Sequence, residues 1–266
     1  MAAAVSEAPL RVERSADGVV VLTLDLPERR NAMTQELTAA WGSTLRDLRQ
    51  DDSLRVVLVT GAGPAFCAGG DLSWLDVGAG LSVDKLRSRM LPFYRTWLAI
   101  RDLEVPTIAA INGPAVGAGL ALALACDLRY AAPEATLSVP FTALGIHPGM
   151  ATTWLLPDVA GLAVARELLL TGRVVTGEEA VGMGLVNRTF PGEGLLPAAL
   201  AVARSVAAKA PVATRLTTIA LREGLRSMED ALHWEALAQP VTMTTDDVVE
   251  GLAAQRERRP PHFTGS

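Results

Sequence analysis

Apolar and polar residues alternate over two short runs near the start of the chain, Leu10–Arg14 and Val19–Leu24, with Asp17-Gly18 between them, which predicts a β-hairpin. From Thr34 to Arg49 the apolar side chains Leu37, Trp41, Leu45 and Leu48 recur at the spacing of one helix face. Val56–Thr60 is apolar throughout and bounded by glycine, the mark of a strand covered on both faces. A Gly/Ala/Pro-rich loop follows, then a long helical pattern over Val83–Asp102 with Pro92 as its expected kink. Thr107–Ile111 predicts a second buried strand, Gly113–Gly119 a second small-residue loop, and the residues up to Ala125 a helix. Leu128–Ala131 and Thr136–Val139 read as short strands, and from Ala163 onward the pattern is helical. There, Thr176 with Glu179 forms a capping box before Ala180–Met183. The segments Leu195–Ala208, Val212–Gly224, Met228–Leu237 and Val248–Arg258 complete it.

These elements describe an α/β core over residues 1–195 followed by a helical region over residues 196–266, with no flexible linker between. At 266 residues, with 50% hydrophobic and 20% charged, the chain has ample apolar surface for a large core. Val105–Cys126 lacks charge and is long enough for a bilayer, but Pro106, Asn112 and Gly113-Pro114 make it a strand, turn and helix. No membrane partner is expected. The start lacks the basic flank and apolar block of a secretory signal, and with only Cys67 and Cys126 the expectation is a cytoplasmic protein without disulfides. A net charge of −5 and no basic stripe argue against nucleic acid. The scattered His147, His233 and His262 supply no metal site.

The chain runs twice through strand, small-residue loop and helix, at Arg55–Leu72 and Pro106–Asp127. Such a loop presents backbone N–H groups beside the positive end of a helix. Two of them facing each other suit one oxygen on which negative charge develops. Dinucleotide binding fails as an explanation, because Gly61-x-Gly63 and Gly117-x-Gly119 meet Phe66 and Leu122 where a third glycine belongs. There is no GK[ST] and no G-x-S-x-G, and neither Tyr94 nor Tyr130 precedes a lysine by four residues.

PERRNAM (Pro27–Met33), AFCAGGDL (Ala65–Leu72), the stretch Ala109–Ala131, LGIHPG (Leu144–Gly149) and the tail Glu250–Phe263 occur in that order. Together they resemble the crotonase family, the enoyl-CoA hydratase/isomerase superfamily. The resemblance implies a crotonase-like spiral of ββα units, a C-terminal helical trimerisation region, and a homotrimer or dimer of trimers. It also implies an acyl-CoA thioester ligand, drawn from fatty acid metabolism, with coenzyme A as part of the substrate and no separate cofactor. The backbone N–H groups of Ala68 and Ala118 are the implied oxyanion donors, with alanine at 118 where the family more often has glycine. Arg29 and Ala32 match the segment that contacts coenzyme A, and Gly69, Gly70 and Leu72 line the first loop. Asp71 braces that loop. Gly117, Pro140, Phe141 and Leu144 fall beside the acyl group. Phe263 corresponds to a tail aromatic that meets adenine, often from a neighbouring subunit.

One departure alters the expected chemistry. Where the family's hydratases carry two glutamates, this chain has Ala121 and Phe141. A positioned acid or base contributes about 10²–10⁴ in rate, and an oxyanion donor about 10²–10³. Hydration is therefore expected to be weak or replaced by isomerisation or another acyl-CoA reaction, the alternative being a non-catalytic acyl-CoA carrier or sensor. His147 is the candidate base, since histidine titrates near neutrality, although a lone histidine before Pro148 also reads as a turn residue bonded to backbone. Asp76 and Glu134 are unsupported by spacing. Arg256, Arg258 and Arg259 could attract phosphates or form a solvated helix end.

Overall fold

A computed structural model describes residues 8–71, 81–225 and 227–266; Leu72 and Asp76 lie outside these residues. Strands β1 (Leu10–Arg14) and β2 (Val19–Leu24) form the antiparallel hairpin, pairing Leu10 with Leu24 and Arg14 with Val20. Helix α1 (Gln35–Arg49) starts at Thr34, whose hydroxyl accepts from Leu37 N–H at 3.2 Å, and it buries Leu37, Trp41, Leu45 and Leu48. Strand β3 (Val56–Gly61) is buried from Val56 to Thr60, as its uninterrupted apolar run requires. Each such side chain removed from water contributes roughly 1.5–3 kcal/mol.

The α2 helix (Val83–Leu98) ends earlier than the periodicity predicts and tightens into a 3₁₀ turn over Ala99–Asp102. Pro92 sits inside it. β4 (Thr107–Ile111), β5 (Ala115–Val116), α3 (Ala118–Ala125), β6 (Leu128–Ala131) and β7 (Thr136–Ser138) then follow. The charge-free stretch Val105–Cys126 is thus divided between two strands and one short helix. No single helix among the described residues is long and apolar enough to cross a membrane.

Helix α4 (Thr152–Thr171) begins well before the expected helical onset at Ala163, and its break lies at Gly161, with φ 80° and ψ 162°. Pro157 and Gly161 hid this helix, since both oppose helix formation locally. Strands β8 (Val175–Thr176) and β9 (Arg188–Thr189), each of two residues, were not anticipated. Between them, α5 (Gly177–Gly182) carries half of the expected capping box. Thr176 Oγ1 accepts from Glu179 N–H at 3.1 Å, while the Glu179 carboxylate binds Arg173 at 2.7 Å instead of returning to the cap. Helices α6 (Gly192–Ala207), α7 (Pro211–Glu223), α8 (Met228–Met243) and α9 (Asp246–Glu257) complete the chain. The expected boundary at 195/196 falls inside α6, whose Leu195, Ala199 and Ala203 join the same core as the strands.

The six-stranded sheet has the order β1-β2-β3-β4-β6-β9, parallel from β2 onward, and the second sheet has the order β5-β7-β8. β4 and β6 enter the first sheet, β5 and β7 the second, and α3 or α4 closes each turn. That alternation is the crotonase-like spiral of ββα units, followed by C-terminal helices. The first turn joins the same layer through a bridge between Cys67 and Ala115.

Two tryptophans fix α2 against α1. The rings of Trp41 and Trp97 stack with centroids 5.0 Å apart, Trp97 Nε1 donates to Thr38 Oγ1 at 3.0 Å, and both rings are fully buried. This contact sets the rotation of α2, and hence which of its side chains face the site.

Candidate active site

Both small-residue loops are held by asparagine anchors, Asn31 fully buried and Asn112 half-buried. Arg30 and Asn31 adopt left-handed backbone (φ 50° and 56°), which turns the Asn31 side chain under the first loop. Its Nδ2 donates to Ala65 O at 2.8 Å and Ala62 O at 3.0 Å, while its Oδ1 accepts from Leu26 N–H at 2.9 Å. Asn112 ties the second loop to the first, donating to Gly63 O at 3.0 Å and accepting from Gly61 N–H at 3.1 Å. The sequence showed Asn31 only within PERRNAM and Asn112 only as a turn signal; neither revealed its anchoring role, because a lone Asn is too common a signal.

The loops meet closely. Gly69 has φ +93°, and a Cβ there would lie 2.5 Å from Val116 O and 3.3 Å from Ala118 N. A Cβ on Gly119 would lie 2.2 Å from Cys67 O. The absence of side chains at these two positions is what lets the loops touch. Val116 N–H donates to Cys67 O at 3.0 Å, and Gly117 N–H to Ser138 O at 2.9 Å.

Ala118 is the first residue of α3, and its N–H has no protein acceptor among the described residues. It stands at the positive end of a wholly buried helix, where a developing negative charge is stabilised. Ala68 differs from the expectation of two open amides. Its N–H donates to Arg30 O at 2.9 Å, because the left-handed turn at Arg30 aims that carbonyl at the loop.

A cavity of about 650 Å³ opens over these loops. Arg29, Ala32, Ala68, Gly69, Gly70, Asp71, Gly117, Ala118, Pro140, Phe141, Leu144 and His147 all line it, so the structure brings these expected site residues together. Val116 of the second loop lines it too, as do Met90, Phe93, Tyr94, Ile146, Gly149 and Met150, unforeseen because their contribution depends on the rotation of α2 and the path into α4. Its lining is mostly apolar, in keeping with a site for a small organic ligand. Asp71 accepts from Arg29 Nη2 at 2.7 Å and so ties the first loop to the segment before α1. Phe141 is half-buried, and its ring edge approaches Gly117, where a Cβ would lie 3.5 Å from Cζ. Ala121, expected from the resemblance to stand at the other glutamate position, is completely buried and is not among the cavity-lining residues.

His147 is exposed at the cavity rim, and its Nδ1 lies 2.8 Å from Pro148 O. A carbonyl only accepts, so Nδ1 carries the hydrogen and the neutral ring keeps its lone pair on Nε2. Tyr94 is half-buried, and burial pushes its phenol above the usual value. Both cysteine thiols are pushed up to about 12 by burial, which leaves them inert as nucleophiles at neutral pH.

Other expected residues lie elsewhere. Phe263 packs on α9, with its ring 3.5 Å from where a Gly251 Cβ would stand, and does not reach the cavity of its own chain. Arg259 is held by Glu250 at 2.6 Å and Glu257 at 2.6 Å. His233 pairs with Glu229 on α8, and Glu134 lies beside Gly192.

Residues 14–266 match the family described as enoyl-CoA hydratase/isomerase. The chain is similar to the human enoyl-CoA hydratase domain-containing protein 2, mitochondrial, at 36% identity over 275 aligned positions, covering 99% of this chain and 92% of that one. It is also similar to the crystal structure of an enoyl-CoA hydratase from Bacillus anthracis, with a TM-score of 0.91, 35% identity, and coverage of 97% and 100%. An enoyl-CoA hydratase structure from Mycobacterium smegmatis superposes with a TM-score of 0.88 at 30% identity, over 97% of this chain and 99% of that chain.

Proposed function

The chain belongs to the enoyl-CoA hydratase/isomerase family and is an enzyme of that type, and from this premise we propose that its cavity holds an acyl-CoA thioester and stabilises an enolate-like state. The observation that carries the reading is the open Ala118 amide at the head of a buried helix, facing a largely apolar cavity. A thioester oxygen accepting from it gains charge as a proton leaves the α-carbon. Ala68 joins as second donor by sharing its N–H between Arg30 O and the thioester oxygen. Asp71 is the only carboxylate among the described lining residues, and Arg29 occupies it.

His147 Nε2 is the proposed base. It takes the α-proton, the C–H electron pair moves into the enolate, and the proton returns at another carbon of the acyl chain. That sequence is an isomerisation. Hydration needs a second group to activate water, and Ala121 and Phe141 supply none. Arg29 and Ala32 hold the coenzyme A end, Gly69, Gly70 and Gly117 leave room for the thioester, and Pro140, Phe141 and Leu144 cover the acyl chain. A substrate drawn from fatty acid metabolism and a cytoplasmic site of action complete the reading; two free buried thiols accord with a reducing compartment.

Helix α8 buries no residue within its own chain, and Met228, Leu237 and Met243 are exposed by 78%, 75% and 63%. An apolar surface of this kind supports self-association, here a homotrimer or a dimer of trimers, which would also bring Phe263 toward a neighbouring cavity. Sedimentation equilibrium tests this part: a monomer at micromolar concentration refutes it.

Incubation with short- and long-chain enoyl-CoA in heavy water, followed by mass spectrometry, tests the chemistry. Deuterium uptake at the α-carbon that is lost in His147→Ala supports the enzyme mechanism. Micromolar binding with no exchange at any chain length favours a non-catalytic carrier or sensor, the reading that the alanine and phenylalanine at 121 and 141 independently support.

A further inference from the structure

Far from the loops described above, two buried hydrogen-bond donors have no acceptor among the described residues: Nη1 of Arg55 and Nε of Arg215. Arg55 stands immediately before β3 and Arg215 in the second turn of α7. Both line one small cavity, together with Leu54, Pro106, Val206 and Lys209, the last from the turn between α6 and α7. A buried guanidinium N–H left unpaired costs free energy, and its partner then comes from outside the chain, as a water or an ion.

Charge decides between those two. Three cations line the cavity, and no carboxylate is among its described lining residues. Neither Arg55 nor Arg215 forms an ion pair among the described residues. Asp247 attracts Arg55, but its oxygens accept from Thr264 N–H at 2.8 Å and Gly265 N–H at 3.0 Å. Arg215 also borders a separate polar cleft with Asp51, Asp52, Asp102 and Glu104; its Nη2 donates there to Asp52 O at 3.4 Å, which leaves Nε unsatisfied. Burial first, and the charge of Arg215 next, lower the Arg55 pKa below its ordinary value. A water would satisfy both N–H groups and leave that repulsion standing, whereas an anion removes both penalties.

Size narrows the choice. The cavity measures about 10 Å³, room for one occupant close to a water in size, so phosphate, sulfate and carboxylate groups do not fit. We propose that Arg55 Nη1 and Arg215 Nε form a site for a small monatomic anion, chloride or bromide, that pins α7 to the segment before β3. The tail packs on the same corner: Arg55 Nη2 donates to Thr264 O at 3.2 Å, and a Cβ on Gly265 would lie 2.6 Å from Pro211 Cγ. The ion therefore fastens α7 and the tail to the sheet, and stability rises with halide concentration.

The test is the melting temperature of the whole protein in sodium chloride, sodium bromide and sodium gluconate at equal ionic strength, gluconate being too large for the cavity. Melting is expected about 3 °C higher in either halide. Arg215→Met, which deletes one donor, and Arg215→Lys, which keeps the charge but deletes Nε, each reduce that difference to about 1 °C or less. Wild-type crystals grown with bromide are expected to show an anomalous peak within hydrogen-bond distance of Arg55 Nη1 and Arg215 Nε. Equal melting in halide and gluconate overturns the inference. So does a halide difference that both Arg215 variants retain, since it then arises from salt acting elsewhere. No anomalous peak at this position means water alone and overturns it as well. A peak without any melting difference is an adventitious ion only, and counts equally against the proposal.

Discussion

Replacing Gly69 with alanine tests the contact on which the site depends. The added Cβ would sit 2.5 Å from Val116 O, well inside the closest approach such atoms tolerate, and the residue would hold φ +93°. Left-handed strain of this kind costs about 1–3 kcal/mol, and overpacking against backbone adds about 1–3 kcal/mol. Relief is obstructed on both sides: Met33 N–H holds Gly69 O at 2.8 Å, and Val116 N–H holds Cys67 O at 3.0 Å. A combined loss of roughly 3 kcal/mol lowers the melting temperature by about 6–12 °C for a chain of this size. The loop shift also displaces the Ala118 amide, 3.3 Å from the new methyl, and a misplacement near 1 Å costs roughly 10² in rate. Differential scanning calorimetry measures the first effect and α-carbon deuterium exchange the second. Gly70→Ala is the control, since nothing lies within 4 Å of its Cβ position, and its stability is expected within about 0.5 kcal/mol of wild type. A Gly69→Ala protein that melts with wild type and exchanges at the wild-type rate would refute the close approach of the two loops.

Further outcomes are open to simple measurement. Arg222, 8% exposed at its side chain, donates to Asp127 Oδ1 at 2.8 Å, Arg101 O at 3.0 Å and Val105 O at 3.0 Å, fastening α7 to the sheet. Arg222→Met leaves the Asp127 carboxylate, 25% exposed, with only its bonds from Thr107 N–H at 2.7 Å and Thr107 Oγ1 at 2.9 Å, and is expected to cost about 1.5–3 kcal/mol by urea unfolding; an unchanged midpoint and slope contradict it. Cys67 and Cys126, held near about 12 by burial, should resist iodoacetamide in the native protein at neutral pH and react only after unfolding. Glu250 is lowered from 4.5 to about 2, first by its hydrogen bond from Arg259 and then by His262 N–H. Its contribution to tail docking is present above pH 4.5 and lost as the pH falls through about 2. Hydrogen exchange of residues 258–266 should therefore quicken across that window, and Glu250→Gln should abolish the acid dependence. Phe141→Glu, at a cavity-lining position, should raise hydratase turnover, by up to about 10²–10⁴ for a well-placed carboxylate. No gain would show that position 141 does not reach the acyl β-carbon.

The chain announced its local structure wherever a short-range signal was strong. Strands β3 and β4 were legible because a strand buried on both faces is apolar throughout. Helix α1 was legible because one face repeats every three to four residues and Thr34 caps it. Both small-residue loops could be read directly from residue identities. Where local preferences conflict with packing, reading failed: Pro157 and Gly161 obscured α4, and two-residue strands such as β8 and β9 exist only through their partners.

Tertiary structure decided everything that depends on the distance between remote segments. The rotation of α2, set by the Trp41–Trp97 stack, put Tyr94 in the cavity wall. The left-handed backbone at Arg30 engaged the Ala68 amide while that of Ala118 stayed open. Tail packing on Gly251 kept Phe263 away from its own site. Residue identity determines which groups can donate, accept or bend the backbone; which of them face one another is determined by close packing, where a single methyl at Gly69 would force the loops apart.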